Sequence, residues 1–246
     1  MARRTRQDEN HQSLVKMKNL RKSLLVPIIG VSVLLGSQTS THAQVQLTVD
    51  PGASWLGYMN VFELPANGGA FLWGSGWGTP DLVATFSGAT LTLAPNTIGD
   101  PDPYWYVGGG GPGAPGNKTM EANMYVENTG DWNGQNVTFS GLVLDNSLVS
   151  PYTSIAFIKD FAPDYSSFNV VSAPLVAGEF SIHLDTIADP ARHVQFGFTT
   201  VGPNVWVTDV GPLGSVQITA VPEPSVLAFL ALGAVGMVWL RSRRTV

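Results

Sequence analysis

The chain has 246 residues, a formal charge of −5 at pH 7 and no cysteine. The lack of cysteine excludes disulfides, thiolate metal sites, cysteine nucleophiles and an acylated-Cys lipoprotein anchor. Between Gln44 and Val221 only three residues are basic (Lys118, Lys159 and Arg192) against fifteen acidic ones, a net −12. That balance excludes nucleic acid, which demands many Lys/Arg contacts to phosphate, and disfavours anionic membrane surfaces.

The first predicted element is an export signal over residues 1–43. Lys18, Arg21 and Lys22 precede an apolar stretch from Leu24 to Leu35, and small and polar residues then end in Thr41-His42-Ala43. These are the basic, apolar and cleavage regions of a secretory signal, with the cut expected between Ala43 and Gln44. The apolar stretch is too short to span a bilayer. Residues 1–16 are unusually polar for a signal, and Met17 is the expected start. Signal peptidase and the export machinery are the partners this segment implies.

Residues 44–220 read as a single β-sandwich domain. Short apolar–polar alternations fall between Gly/Pro turns, and no stretch holds a helical period over three turns. Expected strands are Val45–Val49, Trp55–Phe62, Ala70–Trp73, Leu82–Phe86, Thr90–Leu93 and Met120–Val126. Alternation around Val137 and Phe139 marks another, followed by Ser154–Ile158 and Phe168–Val171. Alternation around Ile182 and Leu184, around Val194, Phe196 and Phe198, and around Val205 and Val207 marks three more, before a last strand at Ser215–Thr219. The expected class is all-β, a sandwich or jelly roll. Gly108 to Gly116 reads as a flexible surface excursion, and it lacks the Lys-Ser/Thr pair of a phosphate-binding loop.

Aromatic rings in glycine-rich or loop-like settings are the candidate binding residues of this domain. They are Trp73 and Trp77 in FLWGSGWGTPD, Trp105 in DPDPYWYVGGGG and Trp132 in TGDWNG. Rings of this kind stack on sugars when exposed, and in sandwiches they also serve as packing residues. Trp55 and Trp206 fall inside strand patterns and read as core. Asp100 and Asp102, set between prolines, are the candidate ligands for a structural calcium. Asp160 and Asp164 form a second pair, and two aspartates fall short of the six to eight oxygens calcium takes. No other cofactor is expected. No catalytic residue is assigned. The only histidines after Gln44 are His183 and His193, no Gly-x-Ser-x-Gly occurs, and fifteen acids give chance carboxylate pairs without a motif.

The last predicted element, residues 221–246, is the most specific. Pro222-Glu223-Pro224 precedes a charge-free apolar run, Ser225 to Leu240, and then Arg241, Arg243 and Arg244. As a helix, 225–240 reaches roughly 24 Å, short of the ~30 Å hydrocarbon core. Trp239 falls at an interfacial position, and the arginines hold the end in the cytoplasm. The two prolines keep the entry extended.

Val221-Pro222-Glu223-Pro224-Ser225, this single transmembrane helix and the arginine-rich end together resemble the PEP-CTERM sorting signal of Gram-negative bacteria. The resemblance implies an exosortase as partner and processing near Pro222, Glu223 and Pro224. It implies transient residence in the inner membrane, then delivery to the cell surface or the extracellular matrix. A second, diffuse resemblance runs from Met120 to Thr219, whose segment order is similar to the galactose-binding-like jelly roll of many carbohydrate-binding modules. There Trp206-Val207-Thr208-Asp209-Val210 would be the closing strand. The expected function is non-enzymatic: a structural or adhesive protein of the surface or biofilm matrix. The alternative is a carbohydrate-binding module for exopolysaccharide or an environmental glycan.

The tail reading has a direct test. The intact mass of the mature protein is expected to begin at Gln44 and to lack Arg241, Arg243 and Arg244. Glu223→Gln is expected to retain the tail in the membrane fraction. Wild type and variant alike keeping Arg244 would make the tail an ordinary anchor.

Overall fold

The computed structural model describes residues 44–222. Ala43, Glu223, Pro224, the expected helix at 225–240 and Arg241, Arg243 and Arg244 lie outside the described residues. Among the described residues, no helix is long and apolar enough to cross a membrane.

The described chain is all-β, with three short 3-10 turns between strands. The first five strands are β1 (Gln44–Leu47), β2 (Leu56–Glu63), β3 (Phe71–Trp77), β4 (Ala84–Ser87) and β5 (Thr90–Leu93). Four longer ones follow: β6 (Lys118–Thr129), β7 (Asn136–Asn146), β8 (Thr153–Phe161) and β9 (Phe168–Pro174). The last are β10 (Gly178–Asp185), β11 (His193–Pro203) and β12 (Val216–Thr219).

Two six-stranded sheets face each other. One runs β3-β2-β6-β11-β8-β9 and is antiparallel throughout. The other runs β1-β7-β12-β5-β4, with β10 also paired to β7. β1 lies parallel to one half of β7 and β12 antiparallel to the other half, while β10 spans 136–143 and so occupies the opposite edge. Sequence neighbours are often not sheet neighbours, so the chain crosses repeatedly between layers, as in jelly-roll sandwiches.

Strict alternation builds the core. Met120, Ala122 and Met124 point inward from β6, and Val194, Phe196 and Phe198 from β11, against Val137, Phe139 and Val143 of β7. Phe139 is fully buried, with ring centroids 4.7 Å from Phe196, 5.3 Å from Phe198 and 5.2 Å from Phe180. Trp55 stacks on Phe198 at 6.2 Å and donates its indole N–H to the Asp50 carbonyl. Gly197 is required by close pairing, because a Cβ there would lie 2.0 Å from the Met124 carbonyl oxygen.

Most expected strands are present, and three expectations change. Leu82–Phe86 is not one strand. A 3-10 turn covers Thr79–Leu82, Val83 is left-handed at φ 56°, and only then does β4 begin. Pro80 at the start of the turn favours that geometry. The closing strand at Trp206–Val210 does not form. Val205 makes one isolated parallel bridge to Thr97, the chain turns through Val207 and Thr208, and β12 closes the sheet instead. The Gly108–Gly116 segment is anchored rather than free. Gly110 donates to the Pro101 carbonyl, Val107 to the Pro115 carbonyl and Gly113 to Asp209 Oδ2. Beneath it the Tyr106 ring is fully buried, its hydroxyl donating to the Ile98 and Val205 carbonyls.

Phe139→Ala is expected to cost about 3–5 kcal/mol of unfolding free energy, the range for truncating a buried Phe, measured by chemical denaturation. Asp160 is fully buried. Its Oδ1 accepts from Arg192 Nε at 2.8 Å and its Oδ2 from the Ile187 amide at 2.9 Å. Asp160→Ala strands Arg192 and is expected to cost about 3–5 kcal/mol in the same assay.

Candidate functional site

The outward face of the antiparallel sheet carries a groove of about 540 Å³ running across the strands from β2 to β9. It follows from the alternation that builds the core. With Met120, Ala122 and Met124 inward on β6, the alternate residues Glu121, Asn123, Tyr125 and Glu127 face out. Tyr58 and Asn60 extend this face on β2, Gln195 on β11, Lys159 and Phe161 on β8, and Phe168 on β9.

Hydrogen bonds between facing strands organise the floor. Asn60 Nδ2 donates to Glu121 Oε1 at 2.9 Å, and Asn123 Nδ2 donates to the same oxygen at 3.3 Å. Thr199 Oγ1 donates to Asn123 Oδ1 at 2.7 Å, from the position directly opposite in the β6–β11 register. Gln195, opposite Glu127, donates to Glu127 Oε2 at 2.7 Å, and the Tyr165 hydroxyl donates to Glu127 Oε1 at 3.1 Å. Both groove carboxylates are thus held by neutral donors, which fixes their direction without cancelling their charge.

Aromatic rings form the walls. Tyr58 is 38% exposed, Tyr165 48% and Phe168 50%. Tyr58 keeps its place because Gly74 of β3 has no side chain; a Cβ there would lie 2.8 Å from the Tyr58 ring and 2.6 Å from Asn60 Oδ1. Tyr165 sits in the β8–β9 turn at φ 58°, a left-handed conformation that costs a non-glycine residue energy. Its ring lies flat on His193 at 4.3 Å and 8°. His193 in turn contacts Thr129 Oγ1 and the Pro163 carbonyl through its two ring nitrogens. Burial, followed by the charges of Glu127, Glu121 or neighbouring phenols, perturbs three groups here. The Tyr125 hydroxyl is raised, and Lys159 is lowered by burial with Glu121 opposing. The Tyr165 phenol is pushed up to about 12, first by burial and then by Glu127.

The residues singled out from sequence lie elsewhere. Trp73, Trp77 and Trp105 come together beyond β3. Trp73 Nε1 donates to the Tyr104 hydroxyl at 2.9 Å, Trp105 meets Trp73 edge-on at 6.1 Å, and Tyr104 packs on Trp105 at 4.8 Å. Trp77 and Trp105 border an open hollow of about 650 Å³ with Asp81 and Asp100. Trp132 is not part of this group; it lies in a turn and packs on Phe196 at 5.7 Å. Trp206 packs edge-on against Tyr106 at 5.5 Å. Asp100 Oδ1 accepts from the Asp102 amide and Asp102 Oδ1 from the Tyr104 amide, two successive turns. Asp160 is taken by Arg192, and Asp164 accepts from the Ser166 amide and hydroxyl, which holds its carboxyl below the usual value. Among the described residues, no group of three or more His, Asp and Glu side chains gathers as metal ligands. His183 lies exposed on β10.

Residues 220–244 match the family model of the PEP-CTERM protein-sorting motif. The chain therefore carries that motif, which implies exosortase-directed sorting of an exported protein. No curated protein matches the chain. Among solved structures it is similar to one described as TmCBM61 in complex with beta-1,4-galactotriose. The identity is 10%, the match covers 58% of this chain and 74% of that one, and the TM-score is 0.29.

The raised Tyr165 phenol sets an expectation for pH. Its folded value of about 12 exceeds the ordinary phenol value of 10.0, so its contribution to stability is fully present below pH 10.0 and is lost as pH rises through about 12. In an ultraviolet phenolate titration, Tyr165→Phe is expected to remove one phenol ionising near pH 12. An unchanged high-pH limb would contradict the assigned contact with Glu127.

Proposed function

We propose that residues 44–220 form a non-enzymatic carbohydrate-binding domain that takes a polysaccharide segment in the groove across β2, β6, β11, β8 and β9. The sorting motif delivers it to the surface or extracellular matrix of a Gram-negative cell, where exopolysaccharide is at hand. The observation that carries the reading is the groove's division of labour. A floor of oriented amides, carboxylates and phenols lies between exposed aromatic walls. A sugar ring presents the matching surfaces, hydroxyls around its edge and C–H groups on its faces. From β2 to β9 there are four inter-strand steps, roughly 19 Å at the usual spacing, room for a short oligosaccharide. Sheet placement keeps the groups rigid, which limits the ordering cost on binding.

The test is a glycan panel that includes the producing cell's own extracellular polysaccharide, with and without calcium. Binding is expected for the mature protein. Tyr58→Ala is expected to weaken it about tenfold or more, the scale of an aromatic contact at the centre of an interface. Gly74→Ala, which displaces Tyr58 and Asn60, should act in the same direction. Trp105→Ala, in the separate hollow, is expected to leave groove binding nearly unchanged. A larger loss from Trp105→Ala than from Tyr58→Ala would move the site to the hollow. No binding to any glycan would leave a structural or adhesive matrix role.

A further inference from the structure

The domain between Gln44 and Val221 has three cationic side chains. Two are engaged by carboxylates: Lys118 Nζ lies 3.1 Å from Glu63 Oε2, and Arg192 Nε lies 2.8 Å from Asp160 Oδ1. The third, Lys159, lines the groove. Among the described residues its ammonium has no ion-pair or hydrogen-bond partner. It lies 4.3 Å from the Phe157 ring centroid and 5.8 Å from that of Phe168. Phe157 is fully buried, so one side of the ammonium is closed to water. The carboxylates sharing the groove are turned toward other donors: Glu121 Oε1 toward Asn60 and Asn123, and both oxygens of Glu127 toward Tyr165 and Gln195.

A partly desolvated ammonium with ring faces beside it, Glu121 acting on it only through space and no carboxylate at ion-pair distance among the described residues is an incomplete interaction. Cation–π contacts offset some of the lost hydration, and an anion offsets more. We infer that Lys159 receives an anionic group of the bound glycan, such as the carboxylate of a uronic-acid unit or another acid substituent. This rests on the groove being the glycan site. The surroundings also limit how many anions the ligand carries. Glu121 and Glu127 line the same groove, and the domain's net charge is −12 from Gln44 to Val221. With a screening length of about 8 Å at physiological salt, repulsion acts mainly within the groove itself. The ligand is therefore an otherwise neutral chain with widely spaced acid groups, one per groove, rather than a dense polyanion. Lys159 sets specificity, while Tyr58 and the floor amides supply contacts that any glycan chain would share.

The experiment uses the full chain after processing by its own cell, and the extracellular polysaccharide of that cell as probe. The polysaccharide is compared with its carboxyl-reduced, mild-acid-treated and desulfated forms by titration calorimetry. One treatment is expected to weaken binding about tenfold or more. Loss on carboxyl reduction alone assigns a uronate, loss on mild acid a ketal-linked acid, and loss on desulfation a sulfate. Lys159→Met keeps the apolar stem against Phe157 and Phe168. It is expected to bind the native polymer as weakly as wild type binds the treated one, and to lose all discrimination. Lys159→Arg is expected to keep it. Equal wild-type binding to every form, or discrimination that survives Lys159→Met, overturns the inference and leaves the glycan site standing. No binding to the native polymer, with Tyr58→Ala indistinguishable from wild type, overturns both.

Discussion

The antiparallel pairing of β6 with β11 is the constraint on which the domain depends. It holds eleven residue pairs in register, from Thr129 opposite His193 to Thr119 opposite Pro203. Side chains alternate on both strands, so this single register decides which residues meet on each face. On the inner face it assembles Met124, Phe196 and Phe198 with Phe139 into the core. On the outer face it sets Gln195 opposite Glu127 and Thr199 opposite Asn123, the two pairs that hydrogen-bond to form the groove floor. A slip of one residue would send Glu121 and Glu127 into the core and Met120 and Met124 into solvent. The cost of burying those carboxylates locks the register, and the locked register aims the groove.

Charge is distributed on the same plan. Arg192 and Asp160 form a buried pair that also gathers the Ile187 amide and the Asp160 carbonyl, tying the segment before β11 to β8. Lys118 is held between Glu63 and the Tyr104 ring, joining the β2 and β6 ends to the aromatic loop. Both cations therefore serve the fold. Most of the acids that remain are exposed, several of them in turns (Asp50, Asp100, Asp102 and Asp164), and their excess favours solubility.

The sequence made the strands legible because period-two alternation reports one buried face directly. It also made the sorting motif legible, since the Pro-Glu-Pro tripeptide, apolar run and arginines are contiguous. The groove was less legible. Glu121, Asn123, Tyr125 and Glu127 read as the solvated side of a strand, and only the neighbouring strands reveal that Tyr58, Gln195 and Lys159 join them. The available signal was the outward side of β6, where every residue can hydrogen-bond. Glycine-flanked tryptophans drew attention instead. Trp132 proved to have a packing partner in Phe196, contributed by a strand more than sixty residues away in sequence. The alternation of Val205 and Val207 around Trp206 failed as a strand signal because hydrogen bonding there stops after one bridge and the chain turns. The glycine-rich loop misled for a similar reason, since its anchors, Asp209 and Pro101, lie outside it.

The central claim is that the outward face of β6 and its neighbours binds a glycan. The most direct measurement is a backbone and side-chain amide NMR titration of the mature protein with fragments of the producing cell's extracellular polysaccharide. The account predicts saturable shifts at the side-chain amides of Asn60, Asn123 and Gln195 and at the backbone of Tyr58 and Lys159, with Trp105 and Trp132 unmoved. Shifts confined to the Trp77–Trp105 hollow, or no saturable shift at any concentration reached, would contradict it.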